Sequence, residues 1–198
     1  SHKMGGTRNV HKVRIDRDGN SSSDPCEGRF RWQRWHGITC ETNASSSDAT
    51  HVVGIALESN QLDGTLPASL ADLPRLRTLD LESNQVAGPT PEAICALREL
   101  ETLDVRSNSM RGTIPACLGN CTKLSLIDYS YNSAPGLSGT VPASLCALRS
   151  LTTLNLQITT GLTGTIPDCF GVDQPDLVTF GLQYNQLTGQ IPLSLCDA

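Results

Sequence analysis

Acidic side chains recur at an even interval in the middle of the chain. Asp80, Asp104 and Asp128 stand 24 residues apart, and Glu58 and Glu82 are separated by the same interval. Two carboxylates held close together can act as the acid and base of glycoside hydrolysis, whereas a row of carboxylates attracts a basic partner. Whether these acids suit hydrolysis or binding depends on how the surrounding structural elements position them.

Histidines, the commonest general bases, are few and scattered. The chain has His2, His11, His36 and His51. No serine, cysteine or carboxylate constellation recurs around any of them. We therefore expect no histidine-based catalysis.

One N-terminal segment, "DRDGNSSSDPCE", resembles a calcium-binding loop in its oxygen-bearing side chains. However, Ser21 stands where such a loop needs Gly, and Pro25 and Cys26 fall where its exiting helix should begin. A solvated acidic linker is the better interpretation, and no metal site is expected. The template positions 1, 3, 5, 7, 9 and 12 are filled by Asp16, Asp18, Asn20, Ser22, Asp24 and Glu27.

A second segment, "RFRWQRW", alternates arginine with aromatic residues, a pattern that can bind polyanions or stack on bases. Residues 1–40 hold eight Lys or Arg and four Asp or Glu, net +4, but residues 41–198 hold seven and sixteen, net −9. The acidic main body argues against nucleic acid as a partner. A sulfated glycan remains an alternative at the basic end.

The elements that carry the evenly spaced acids are six copies of one apolar pattern. Each copy contains L-x-x-L-x-L, an Asn, a Gly and a P-x-x-L-x-x-L segment, as in "LRTLDLESNQVAGPTPEAICAL". The alternating leucines predict a short strand with one buried face, and successive strands pair in parallel. The P-x-x-L-x-x-L segment places apolar residues at helical spacing. Because no copy can bury its face alone, the array folds as a unit.

An asparagine follows every strand except the fifth, which has Thr159. The side-chain amide of Asn has two donors and an acceptor, enough to bond backbone groups of adjacent coils. We therefore expect these residues to be structural. They are Asn60, Asn84, Asn108, Asn132 and Asn185.

Strand positions that point away from the leucines form columns on the concave face of such an array. Acids in the middle copies and tyrosines in the later ones suit a cationic peptide, or a glycan stacked on aromatic faces. A strand-end Asp can also serve only to keep the face soluble. An open curved sheet implies no pocket, so no enzyme and no cofactor are expected. The candidate ligand-binding residues are Asp80, Glu82, Asp104, Arg106, Asp128, Ser130, Tyr131, Gln157, Gln183 and Tyr184.

The repeated pattern, seen again in "LETLDVRSNSMRGTIPACLGNC", resembles the plant-type extracellular leucine-rich repeat of receptor-kinase ectodomains and polygalacturonase-inhibiting proteins. The resemblance spans residues 52–196. It implies an α/β fold: a right-handed solenoid of six repeats, with one curved parallel sheet on the concave face and an N-terminal disulfide cap.

The segment "DPCEGRFRWQRWHGITC" resembles the N-terminal cap of that family, with Trp35 between Cys26 and Cys40. The helix that usually precedes this cap is not recognisable in residues 7–25. The chain is thus expected to have three parts. These are a tag remnant and polar tail (1–25), a cysteine-paired cap (26–50) and six leucine-rich repeats (51–198).

Eight cysteines suggest an oxidising compartment. The resemblance implies that Cys26 and Cys40 close the cap. Equivalent offsets in neighbouring repeats predict two further pairs, Cys95 with Cys117 and Cys146 with Cys169. Cys121 replaces a core leucine and is expected to be a buried free thiol. Cys196 has the offset that calls for a partner in a seventh repeat.

Three sequons mark candidate glycosylation sites, at Asn20, Asn43 and Asn120. Together with the cysteines they favour a secreted or cell-surface protein. The predicted function is binding of a protein or peptide ligand through the concave face, and the alternative is a cell-wall or matrix polysaccharide in adhesion or scaffolding. A membrane is expected only through an anchor segment outside this sequence.

Overall fold

The computed structural model of the chain describes residues 36–42, 50–132, 136–172 and 174–196. Within them the chain winds through strands and short 3-10 helices. The strands are β1 (Ile38–Thr42), β2 (Thr50–Ala56), β3 (Asp63–Thr65), β4 (Thr78–Asp80), β5 (Gln85–Gly88), β6 (Thr102–Asp104), β7 (Ser109–Gly112), β8 (Leu126–Asp128), β9 (Gly136–Leu137), β10 (Thr153–Asn155) and β11 (Thr179–Gly181). The helices are η1 (Ala68–Asp72), η2 (Glu92–Ala96), η3 (Ala116–Asn120), η4 (Ala143–Ala147) and η5 (Leu193–Cys196).

The larger sheet has the strand order β1-β2-β4-β6-β8-β10-β11. All neighbouring pairs are parallel except β1 and β2, which are antiparallel. Equivalent residues of successive coils pair with each other, so Leu79 stands beside Leu103, and Leu103 beside Ile127. This register stacks the strand leucines predicted from the sequence.

A second parallel sheet lies where each coil leaves the first. Its order is β3-β5-β7-β9, and an isolated bridge between Gly139 and Leu162 extends the same direction. The coils that begin with β2, β4, β6 and β8 therefore each contribute a strand to both sheets.

The P-x-x-L-x-x-L segments form 3-10 helices, and the described residues contain no α-helix. A proline in extended conformation precedes η1 to η4. The apolar residues recur every third position, as in Leu70, Leu73 and Leu76, which is the period of a 3-10 helix. Accordingly, the N–H of Leu73 bonds to the carbonyl of Leu70 at 3.0 Å.

The core is a continuous column of mainly aliphatic side chains between strands and helices. Its largest member, Tyr129, is fully buried, and its hydroxyl lies 2.8 Å from Thr90 Oγ1. Among the described residues, no helix has the length and apolar character that crossing a membrane requires.

The asparagines join adjacent coils, as expected. Asn84 Nδ2 donates to the carbonyls of Leu57 and Leu81 at 2.8 and 2.9 Å, while its Oδ1 accepts the N–H groups of Asn60 and Leu62 at 3.0 and 2.9 Å. These bonds satisfy backbone groups that the turn after the strand would otherwise leave unpaired.

Thr159 takes over the asparagine's place in the fifth coil. Its hydroxyl contacts the carbonyl of Leu156 at 3.1 Å and Asn185 Oδ1 at 2.7 Å. The next asparagine, Asn185, makes the same bond to the preceding coil that Asn84 makes to Leu57. Asn185 Nδ2 donates to the same carbonyl of Leu156 at 2.7 Å.

Two disulfides link neighbouring coils, Cys95 with Cys117 and Cys146 with Cys169, in the pairing that the repeat register predicts. Cys121 is a buried free thiol, also as expected. Cys40 is disulfide-bonded, but its expected partner Cys26 lies outside the described residues. So do Trp35, the N-terminal tail, the sequons at Asn20 and Asn43, and the side chain of Cys196.

Candidate ligand-binding face

The acids predicted to form a column do stand side by side on the solvent side of the larger sheet. Asp80 pairs with Asp104, Asp104 with Asp128, and Asp128 with Asn155. In each aspartate, Oδ1 accepts the backbone N–H two residues further along, at 3.0, 3.0 and 2.8 Å. These carboxylates therefore close the turn that ends each strand, which is a structural role.

Burial divides Asp104 and Asp128 from the other acids of this surface. Asp104 and Asp128 are only 7% and 5% exposed, whereas Glu58 is exposed and Glu82 is half-buried. The pKa of Asp104 is raised to about 6, and burial is the main cause. The charges of Asp128 and Asp80 contribute to this rise, whereas the hydrogen bond from the Arg106 N–H and the charge of Arg106 oppose it. Because Asn155 Nδ2 donates to Asp128 Oδ2 at 3.1 Å, the column continues as an amide.

Arg106 is the cation at the centre of this face. Its Nη2 hydrogen-bonds Glu82 Oε2, and its Nε lies 3.6 Å from Asp104 Oδ2. The hydrogen bond to Glu82 is the main cause that raises the pKa of the guanidinium. One oxygen from each of Asp80, Glu82 and Asp104 lies within 4.8 Å of the others. The guanidinium already supplies the positive charge at this cluster.

We name as the acidic face the charged side chains of the first four coils that share this surface. Among the described residues it has five carboxylates and one guanidinium, so it is strongly negative whenever the carboxylates are ionised. Its members are Glu58, Asp80, Glu82, Asp104, Arg106 and Asp128.

Two exposed tyrosines lie next to the acidic face, at the turn position after β8 and after β11. Tyr131 and Tyr184 are 51% and 76% exposed, with Ile158 between them in the repeat order. All three have positive φ, from 54° to 59°. At ~4.8 Å per coil the two tyrosines are about 10 Å apart. We call these three residues the tyrosine row.

The predicted ligand-binding residues thus separate into two groups. Asp104, Asp128 and Ser130 are almost fully buried, the last being 1% exposed, so they shape the face from below. The remaining predicted residues are half-buried or exposed and can touch a partner. They are Asp80, Glu82, Arg106, Tyr131, Gln157, Gln183 and Tyr184.

The sequence alone did not single out a regular surface of serine and threonine hydroxyls, which lies on the side of the molecule formed by the second sheet. Its members are all exposed. The recurring "LSGT", "LTGT" and "LTGQ" of the last three copies was the available signal. We call it the hydroxyl array, consisting of Ser138, Thr140, Thr163, Thr165 and Thr188.

Glycines set the spacing of this array. A Cβ added at Gly164 would lie 2.9 Å from the methyl carbon of Thr140, and one at Gly189 would lie 2.8 Å from that of Thr165. Each threonine methyl therefore fills the space that the next coil's glycine leaves. The N–H groups of Thr163 and Thr188 bond to the preceding coil at the same distance, 2.8 Å, which keeps successive rows equivalent.

Comparison with known proteins identifies the repeat. The leucine-rich-repeat family model matches residues 75–97 and 99–121. Receptor-like protein 32 of Arabidopsis thaliana is 42% identical over 58 residues, which is 29% of this chain and 7% of that protein.

Solved structures extend the likeness over most of the chain. A plant ice-binding protein has a TM-score of 0.73 and 31% identity over 83% of this chain and 50% of that one. The plant peptide hormone receptor RGFR1 in complex with RGF2 has a TM-score of 0.69 and 28% identity, over 82% of this chain and 27% of that one. A chain of the BIR3–SERK2 complex of Arabidopsis thaliana has a TM-score of 0.64 and 31% identity, over 79% of this chain and 78% of that one.

This chain spans half or less of the curated relative and of the first two structures, but most of the third. The stacked strands, the asparagine ladder and the intercoil disulfides are features of one repeat architecture. The chain belongs to the leucine-rich-repeat proteins of the plant extracellular type, the type of the receptor-like ectodomains.

Proposed function

We propose that this chain is an extracellular module that binds a protein or peptide ligand through the concave face of its solenoid. The observation that carries the proposal is the juxtaposition of the acidic face with the tyrosine row. Carboxylates attract and orient a basic partner, and exposed tyrosines supply large contact area at low entropic cost. The intercoil disulfides and the receptor-like family support an extracellular location.

Two of the similar structures are complexes by name, a peptide hormone receptor with RGF2 and BIR3 with SERK2. They support a protein or peptide as the ligand class. The parallel strands from β2 to β11 span roughly 25 Å at ~4.8 Å spacing, which is enough for an interface of about 800 Å² per partner.

The face favours a ligand with basic residues flanking an apolar one. Glu82 is engaged by Arg106, whereas Glu58 is exposed and makes no side-chain hydrogen bond within the described residues. A lysine or arginine of the ligand would meet Glu58 and Asp80. Its apolar residue would pack on the tyrosine row.

Selection from a displayed random-peptide library tests this proposal. The immobilised, oxidised protein should enrich basic peptides that contain an aromatic or aliphatic residue. Glu58→Lys with Glu82→Lys should abolish the enrichment, and Tyr184→Ala should weaken it. Glu92→Lys, an exposed charge reversal in η2, is the matched control. Enrichment that survives the acidic-face variant would refute the proposed site.

A cell-wall or matrix polysaccharide is the alternative ligand for the same face, with sugar rings stacked on the tyrosines. An array of such polysaccharides at low and physiological salt distinguishes it. We expect a blank array. A saturable signal that Tyr184→Ala abolishes would replace peptide recognition by glycan attachment.

The hydroxyl array favours a second candidate function, adsorption to ice. Its threonines are exposed in rows spaced by the strand distance of ~4.8 Å, and the methyl groups of Thr140 and Thr165 are held against glycines. A flat, repeating set of hydroxyl and methyl groups can match the repeating oxygen positions of an ice surface. The ice-binding relative supports this candidate at the level of the fold.

Inhibition of ice recrystallisation tests this second function. The wild-type protein should keep ice grains small, and Thr163→Lys with Thr165→Lys should remove the effect because two long charged side chains break the flat array. Tyr184→Ala, on another surface, should leave it intact. Ice grains that grow as fast with the wild-type protein, and with Glu92→Lys, as they do in buffer alone would rule out ice binding.

A further inference from the structure

One polar residue on the helical side has no place in either binding surface. Asn120 is the last residue of η3 and is exposed. Its side chain makes no hydrogen bond within the described residues, unlike the ladder asparagines, whose amides bond backbone groups. The residue begins the sequence Asn-Cys-Thr.

The surroundings of Asn120 hold its backbone and leave its side chain accessible. Arg98 Nη1 donates to the carbonyl of Asn120 at 2.8 Å. Gly119 packs so closely on the next coil that an added Cβ would lie 2.3 Å from the carbonyl oxygen of Ser144. Asn120 directly follows this contact and is exposed, and so is Thr122.

The middle residue of this triplet is fixed inside the protein. Cys121 is fully buried, its N–H bonds to the carbonyl of Leu118, and its own carbonyl accepts the N–H of Leu124, both at 2.9 Å. The folded coil therefore presents both ends of the triplet to solvent but cannot extend it into an enzyme's active site.

We propose that Asn120 is an N-glycosylation site, modified before its coil closes. Asn120 Nδ2 forms a bond to the first sugar carbon of an oligosaccharide carried on a lipid diphosphate. The bond from that carbon to the diphosphate oxygen breaks, and the proton lost from the amide passes to the released lipid diphosphate. The glycan then stands on the helical side, away from β8 and its neighbours, and leaves the acidic face and the tyrosine row uncovered.

The inference rests on the proposed extracellular location, and the test supplies that route directly. The full chain is secreted from a glycosylating eukaryotic host, digested with and without an N-glycan-releasing amidase, and mapped by mass spectrometry. The peptide containing Asn120 should carry a glycan, and release should convert that asparagine to aspartate. Thr122→Ala should abolish this modification, and the matched Thr122→Ser should retain it.

Secreted, disulfide-bonded protein with an unmodified Asn120 would overturn the inference, and so would equal modification of the Thr122→Ala and Thr122→Ser proteins. Both outcomes leave the binding proposal standing, because Asn120→Gln is expected to bind the selected peptides as wild type does. Failure of the peptide selection with a glycosylated Asn120 would reject only the binding function.

Discussion

Asp104 and Asp128 stand side by side on strands β6 and β8, and both residues are more than nine-tenths buried. Each is held by a backbone N–H at the turn that follows, so the fold brings like charges together where water is scarce. The cost of this arrangement can be measured as a pH dependence of stability.

Protonation of Asp104 at low pH should stabilise the folded protein. The pKa of this carboxyl is about 6 in the folded state against an ordinary value of 3.8, so the folded state binds the proton more tightly than the unfolded chain does. This contribution to stability is fully present below about pH 4 and is lost as the pH rises through 6. Asp104→Asn should therefore raise the free energy of unfolding by up to about 3 kcal/mol at pH 7.5.

Urea unfolding of both proteins at pH 4 and pH 7.5 checks this expectation. The gain should vanish at pH 4, and Asp168→Asn, an exposed position, should show no comparable gain. A variant that is less stable than wild type at pH 7.5 would mean that the ionised Asp104 is stabilising.

The asparagine ladder should be costly to interrupt in the middle of the array. Asn108 Nδ2 donates to the carbonyls of Leu81, Val105 and Arg106, and its Oδ1 accepts the N–H of Val86. Asn108→Ala leaves these groups unpaired and should lower the free energy of unfolding by about 1–3 kcal/mol.

Asn60 offers the matched control for this ladder variant. Its side chain donates only to the nearby carbonyl of Glu58 among the described residues, so Asn60→Ala should cost less than about 0.5 kcal/mol. Asn108→Thr should fall between the two, because Thr159 fills the same place in its own coil. Equal losses for Asn60→Ala and Asn108→Ala would contradict a structural role for the ladder.

The backbone at Ile158 should be strained. It has φ of 54°, where a β-branched side chain is crowded and asparagine is tolerated. Ile158→Asn should raise the melting temperature and the free energy of unfolding, the latter by about 1 kcal/mol. Ile158→Val keeps the branch and should give no gain, and a gain equal to that of Ile158→Asn would show that strain is not the cause.

Cys121 should be inert to thiol reagents until the protein unfolds. Its side chain is fully buried, and burial raises the pKa of the thiol, so little reactive thiolate is present. Peptide mapping after alkylation should find Cys121 modified only in denaturant. Rapid modification in the native state would show that the third coil opens easily.

The larger sheet could be predicted because its strand residues recur at a regular interval in the sequence. The spacing of Leu79, Leu103 and Ile127 fixes which residues pair, and the same register places Cys95 beside Cys117. The sequence predicted helical segments but did not distinguish a 3-10 helix from an α-helix. Only the three-residue interval of Leu70, Leu73 and Leu76 indicates the 3-10 form.

The candidate site was predicted less completely than the fold. A repeat pattern says that Asp104 and Ser130 point away from the leucines, but not that neighbouring coils cover them. It also gave Thr140 and Thr165 no special weight, because their regularity appears only when the glycines of the next coil are seen to hold their methyl groups.

The most direct test of the central claim is the affinity of one selected basic peptide for the wild-type and variant proteins, measured by titration calorimetry at two salt concentrations. We expect Glu58→Lys with Glu82→Lys to weaken binding by roughly tenfold or more, Glu92→Lys to leave it unchanged, and added salt to reduce the wild-type affinity. Equal affinity for all three proteins would contradict recognition by the acidic face.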